Sequence, residues 1–201
     1  IACGKNRVAR LMRKNEIRAK TVKKFKVTTD SKHNHPVAPN RLAQEFKADK
    51  INQKWVSDIT YIYTQEGWLY LAVIMDLCSR KIVGWSMGSR ITKDLTIKAL
   101  RQAMNRRGIK AGLILHSDRG SQYACHDYVH LVKSSQFIQS MSGKGNCYDN
   151  AVMESFFKTL KTEKVYWERY ATRDDARKSI FKYIECYYNV KRKHSALGYK
   201  S

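Results

Sequence analysis

Three carboxylates stand where chemistry could be done. Asp58 lies inside an aromatic and β-branched run, Trp55 to Tyr63. Asp118 ends a short apolar run, Leu113-Ile114-Leu115-His116-Ser117, just before Arg119-Gly120. Glu154 falls in the first turn of a helical stretch, with 35 residues between it and Asp118. Acids on ordered elements of a strongly basic chain point to hard cations held against phosphates. Mg²⁺ prefers oxygen ligands and keeps positions open for water and phosphate, so few carboxylates suffice. Two such ions about 3.5–4 Å apart can activate an attacking oxygen and stabilise a leaving one in an in-line displacement at a phosphodiester. Competing roles exist for other acids. Asp76 ends a strand and is either a fourth ligand or a partner of Arg80. Asp149 reads as a helix N-terminal cap or a DNA-proximal residue. For Glu154 the bland alternative is a solvated pair with Lys158, four residues on.

The charge balance narrows the partner. The chain has 39 Lys and Arg against 17 Asp and Glu, a formal charge of +22 and a pI near 9.9. That excess selects a polyanion, nucleic acid first, over a membrane surface. No apolar run has the length of a membrane span, and no secretory signal opens the chain. The chain begins at Ile1, which suggests a fragment or a processed form. The cysteines, Cys3, Cys78, Cys125, Cys147 and Cys186, are odd in number, scattered and without Cys-x-x-Cys. They predict neither a disulfide framework nor a zinc site, and a reducing cytoplasm fits them. His33-x-His35 and the pair His126 and His130 are expected at the surface or in packing.

The elements that must position these acids follow from periodicity. Trp55–Tyr63, Trp68–Met75 and Lys81–Met87 read as an antiparallel meander, with Gln65-Glu66-Gly67 as its first turn. A helix capped by Thr92 runs to Arg107 with Ile97, Leu100 and Met104 inward and Gly108 as its stop. Leu113–Ser117 follows as a strand parallel to the first. A single helix is expected over Ser121–Ser135 with Tyr128, Leu131 and Val132 inward, then a fifth strand at Phe137–Met141. Ser142–Asn146 is a phosphate-friendly loop. In the helix Asn150–Lys164, Met153, Phe156, Phe157 and Leu160 form the core face, while Glu154, Lys158 and Lys161 share the adjoining one. Thr172 and Asp175 give a capping box, and Ile180, Ile184 and Tyr187 a stripe. Upstream, Val8, Leu11 and Met12 form an apolar stripe on a basic helix around Arg7–Lys14, followed by the basic run Lys20–Lys26. The boundaries are a basic N-terminal segment (1–49), a core (50–165) and a C-terminal helix with a basic tail (166–201).

This is a mixed five-stranded α/β sheet flanked by helices, similar to the ribonuclease H-like fold. Its motifs resemble the integrase-core transposases encoded by the second reading frame of bacterial insertion sequences of the insertion-sequence-three family. The resemblance rests on Trp55-x-x-Asp58-Ile59-Thr60-Tyr61, Gly67-Trp68-x-Tyr70-Leu71, Asp76-x-x-Ser79-Arg80-x-Ile82-Val83-Gly84-Trp85, His116-Ser117-Asp118-Arg119-Gly120-Ser121, Asp149-Asn150-Ala151-x-x-Glu154-Ser155-Phe156-Phe157 and Tyr187-Tyr188-Asn189-x-x-Arg192-x-His194. It implies an Asp-Asp-Glu triad of Asp58, Asp118 and Glu154 holding two Mg²⁺ ions, replaceable by Mn²⁺. It also implies cleavage at element ends followed by strand transfer. Expected DNA contacts are Arg7, Arg10, Arg13, Lys14, Arg119, Lys144, Asn150, Lys158, Lys161 and Arg192. The expected partners are double-stranded DNA, further copies of the chain in the DNA complex and a protein from an upstream reading frame, at the bacterial nucleoid. A catalytically silent DNA-binding derivative and a ribonuclease H-type nuclease are the alternatives.

Overall fold

A computed structural model describes residues 3–17, 35–108, 110–144 and 146–201. The basic run Lys20–Lys26 and His33 lie outside the described residues. A five-stranded sheet has the order β3-β2-β1-β4-β5. β1 (Lys54–Thr64), β2 (Gly67–Asp76) and β3 (Ile82–Gly88) form the antiparallel meander. β4 (Ile114–Ser117) joins β1 in parallel, and β5 (Ile138–Met141) joins β4 in parallel. The strand run in β2 is continuous rather than alternating because helices cover both faces of the sheet.

One apolar layer contains Val56, Ile62, Leu71 and Val73 with Met153, Phe156, Phe157 and Leu160 of the helix α5 (Ala151–Glu163) and Ala176 and Ile180 of α6 (Arg173–Lys182). The other contains Trp55, Ala72 and Ile74 with α2 (Lys93–Arg107) and the helices α3 (Ser121–Ala124) and α4 (His126–Ser134). α2 lies close on β3 because Gly84 has no side chain. A Cβ there would sit 2.2 Å from the Ala99 carbonyl oxygen and 2.8 Å from the Ala103 Cβ. Residues 38–48 also run along the sheet. Leu42 is in the core, and the Arg41 and Leu42 N–H groups both donate to Ser140 Oγ at 2.8 and 3.1 Å.

Four local expectations change. The helix expected over Ser121–Ser135 is two helices, because Cys125 takes an extended conformation (ψ 151°) between them. Leu95, Ala99, Leu100 and Ala103 carry the buried face of α2, while Ile97 and Met104 are half-buried. After α6 a π-helical turn, Tyr183–Tyr188, adds a residue to the helical register. Tyr187 therefore faces outward, and Tyr188 takes the inward place beside Phe156. Finally, the basic helix α1 (Lys5–Lys14) has no buried residue, so among the described residues nothing covers its Val8 and Leu11 stripe.

Candidate active site

The parallel register brings two acids to one level. β1 pairs Lys54 with Ile114, Trp55 with Leu115 and Val56 with His116. The same register, continued by two residues, sets Asp58, within β1, beside Asp118, just past the C-terminal end of β4. The third acid is brought in by α5. At its N-terminus Asn150 is buried and donates from Nδ2 to the Ser57 carbonyl at 3.2 Å. Glu154 follows one turn later, half-buried, on the face next to Phe156 and Phe157.

Electrostatics register this convergence. Burial holds the Asp58 carboxyl well above the usual carboxylate range, the charge of Asp118 adds to it, and Glu154 adds less. The Ile59 N–H, 2.7 Å from Asp58 Oδ1, and the Lys161 ammonium oppose the rise. Partial burial also raises Glu154. The alternative Glu154–Lys158 ion pair does not form, and Lys158 is exposed. Asp118 Oδ1 accepts the Gly120 N–H at 2.9 Å. A carboxyl that feels the charges of two further acids fits a hard divalent cation in charge and donor chemistry. Among the described residues, no three such side chains stand close enough to hold an ion as they are arranged.

Asp76 is not part of this cluster. It is fully buried opposite Trp55, and its carboxylate accepts from Asn52 N (2.7 Å), Trp55 Nε1 (3.2 Å), Ser79 N (2.7 Å) and Ser79 Oγ (3.0 Å). Those donors replace both the metal and the Arg80 ion pair considered from sequence. Asp149 is likewise structural. It accepts from Asn40 Nδ2 and Gly143 N at Oδ2, and from Gln44 Nε2 and Asn146 Nδ2 at Oδ1, at 2.6–3.0 Å. It ties the loop before α5 to residues 40–44.

His116 carries a role that its motif did not disclose. Ser140 Oγ already accepts two backbone N–H groups, so its own hydrogen goes to His116 Nδ1, 2.8 Å away. The imidazole proton then sits on Nε2, facing Ser142 Oγ at 3.2 Å. Burial pushes the His116 pKa down to about 4, so the ring stays neutral beside Asp118. The signal in sequence was only a histidine in an apolar strand; its serine partners are 24 and 26 residues away.

The expected DNA contacts scatter more widely. Arg7, Arg10, Arg13 and Lys14 are exposed on α1. Lys144 is exposed in the loop before α5, and Arg119 donates from Nε to the Ser142 carbonyl at 2.6 Å. Lys161 is half-buried, its Nζ 4.6 Å from the centre of the Tyr61 ring, and burial lowers its pKa while Asp58 opposes that. Arg192 is engaged elsewhere: its Nε and terminal nitrogen grip Glu163 at 2.8–3.1 Å, pinning the C-terminal tail to the end of α5. His126 and His130 are exposed and stack on each other at 6.1 Å.

Comparison with known proteins decides the family. The integrase core domain matches residues 48–147, and a second integrase core family matches 136–201. An insertion element IS600 uncharacterized 31 kDa protein of Shigella sonnei is 52% identical over 198 residues, covering 98% of this chain and 73% of that protein. Transposase InsF for insertion sequence IS3A of Escherichia coli K12 is 47% identical over 191 residues, 95% of this chain and 66% of InsF. The chain belongs to the integrase-core transposases of IS3-type insertion sequences. Members of this family are polynucleotidyl transferases of DNA. The fold agrees with solved integrases. A simian T-cell lymphotropic virus intasome chain has a TM-score of 0.54 at 22% identity, over 67% of this transposase and 45% of that chain. The HTLV-2 integrase catalytic core in complex with magnesium, in its dimeric form, has 0.53 at 19%, over 70% and 92%. The chain spans about two thirds of InsF.

Proposed function

We propose that this transposase cuts DNA at the ends of its element and joins those ends to new DNA, with Asp58, Asp118 and Glu154 as ligands of two Mg²⁺ ions. The observation that carries this is that Asp58 in β1 feels the charges of both Asp118, just past β4, and Glu154 in the first turn of α5. When bound, the ions supply an activated oxygen nucleophile and stabilisation of the leaving oxygen. The chain's own residues do the rest. Asn150 fixes the start of α5 against β1, so Glu154 stays within reach of Asp58. The His116 relay holds the β4–β5 end rigid beneath Asp118 without adding charge. Lys161 offers an ammonium beside Asp58 for an entering phosphate, and Lys158 and Lys144 extend the cationic surface. The two steps exchange one phosphodiester oxygen for another, water first and a 3′-hydroxyl second, so no protein-linked intermediate is needed. Double-stranded DNA is the partner, met by several copies of the chain, with α1 binding DNA outside the site. A protein from an upstream reading frame and a place at the nucleoid belong to the same reading. No described helix is long and apolar enough to cross a membrane.

The ribonuclease H-type alternative loses support because Asp76, its fourth acid, is fully hydrogen-bonded within the protein. The test is incubation with a supercoiled plasmid carrying the native element ends and Mg²⁺. Native protein should give strand-transfer products, whereas Glu154→Gln should give neither cleavage nor joining while folding and binding DNA normally. Near-normal joining by a well-folded Glu154→Gln protein would remove Glu154 from the site; products from the native protein in excess EDTA would remove the ions.

A further inference from the structure

β1 outruns its parallel neighbour. Its pairing with β4 ends at Val56 and His116, so among the described residues the stretch from Asp58 onward has no strand on that edge. On the projecting β1–β2 hairpin, Tyr63 lies opposite Trp68. The Trp68 ring is edge-on to Tyr61 at 5.0 Å and to Tyr63 at 5.3 Å. Even with this mutual packing the cluster stays open, with Tyr63 64% and Trp68 45% exposed. Lys161 reaches the Tyr61 ring from α5 and also feels the charge of Asp58. Arg173 sits on the hairpin's other side, donating from Nε to the Trp68 carbonyl at 3.1 Å. Strand alternation puts this cluster on the face of β1 opposite Asp58, and Lys161, lying over Tyr61 and sensing Asp58, is the cation that bridges the two.

Exposed aromatic clusters mark interaction sites. Here the flanking cations and the +22 charge choose the occupant. Aromatic rings beside a cationic track bind nucleic acid by stacking on bases, and only unpaired bases have a free face to offer. We propose that Tyr63 and Trp68, backed by Tyr61, are a stacking platform for unpaired nucleotides of the DNA substrate, whose phosphates lie toward Lys161. This rests on the transposase reading and adds to it that part of the DNA substrate is held locally single-stranded across the β1–β2 hairpin.

The test uses the fluorescence of the whole chain in EDTA, so that it does not depend on catalysis. Oligothymidylate, an abasic strand of equal length and a blunt duplex are titrated separately. Oligothymidylate should quench the Trp68 emission, identified by its loss in Trp68→Phe; the abasic strand should not. Tyr63→Ala and Trp68→Ala, both at exposed positions and checked by thermal melting, should bind oligothymidylate roughly tenfold or more weakly. Their affinity for the blunt duplex should change less than twofold. Equal losses on strand and duplex, or no loss, would overturn the proposal. So would a shift from dimer to monomer in Trp68→Ala with strand binding unchanged, which would make the patch a contact between copies. Plasmid cleavage by the native protein tells the two readings apart: if it occurs while stacking fails, only the platform is lost.

Discussion

Replacing Asp149 by asparagine separates a structural hub from a metal ligand. The carboxylate takes four hydrogen bonds, two on each oxygen. An asparagine has the same shape but turns one oxygen into a donor. Whichever way the amide is flipped, two of the four donors then face an NH₂ group, so no rotamer rescues the site. Hydrogen bonds to charged groups contribute about 1.5–3 kcal/mol each. The side-chain amides of Gln44 and Asn146 are on exposed residues and can turn to water, while the Gly143 N–H is fixed in the backbone. A net loss of about 2–4 kcal/mol results, a large part of the roughly 5–15 kcal/mol of a whole domain. At this chain length it corresponds to a fall in Tm of roughly 4–16 °C. Circular dichroism melts of the parent and Asp149→Asn measure it directly, with and without Mg²⁺. A variant that melts within a degree of the parent would refute the hub. If that stable variant also lost metal-dependent cleavage, Asp149 would join the ligands instead.

Phe156→Ala should destabilise the chain by about 3–5 kcal/mol, because the ring is 2% exposed and packs edge-on against Tyr188 at 4.8 Å; a urea titration checks it, and a change below 1 kcal/mol would contradict the packing. His116 gives a pH test. Its folded pKa of about 4 lies below its ordinary 6.5, so the unfolded chain binds the extra proton, and stability is complete above 6.5 and lost as pH falls toward 4. The loss approaches roughly 3 kcal/mol, and His116→Asn should lack this pH-dependent part; a parallel pH dependence in both proteins would dismiss it. Asp58 works in the opposite sense. Its raised folded pKa means the native state keeps its proton above 3.8, so metal-free stability declines as pH rises from there through the folded value. Asp58→Asn should therefore gain on the parent in Tm between pH 4 and 8 in EDTA, and lose that advantage in Mg²⁺; a constant gap would show that no charge is strained there.

What could be read from sequence was what local periodicity encodes. The meander, the parallel fourth strand and the core face of α5 follow from alternation and helical spacing, and the Thr172–Asp175 capping box forms as its spacing requires. What could not be read depends on partners far along the chain. Asp149 is satisfied by Asn40 and Gln44, more than 100 residues upstream, and Glu185 receives the Trp85 indole N–H at 2.6 Å across 100 residues. Asp76 stayed open between a fourth ligand and a partner of Arg80, because only the fold brings Asn52 and Trp55 to it. The π-helical turn at Tyr183–Tyr188 is invisible to a 3.6-residue pattern, which is why Tyr187 and Tyr188 exchanged places. The three acids could be singled out because each belongs to a motif; that Asp118 stands level with Asp58 required the register.

The distribution of ion pairs says why the acids of the site are special. With 39 basic residues to 17 acidic ones, a surface carboxylate in this chain finds a cation easily. Glu45, Asp127, Glu163, Glu168, Asp174 and Glu185 all do. Among the described residues Asp58 and Glu154 do not, although both share a neighbourhood with Lys161 and Lys158. Lys161 lies over the Tyr61 ring instead of closing on Asp58, and Lys158 points into solvent. Partial burial makes the unneutralised charges more costly, as the raised proton affinity of both acids records. Folding would favour pairing them off. In the function proposed above, an arrangement that keeps two carboxylates from the nearest ammonium groups, one within β1 and one in the first turn of α5, leaves them for a cation that arrives from outside. In the same proposal the lysines meet the phosphates, so neighbouring acids and bases act on different groups without cancelling each other.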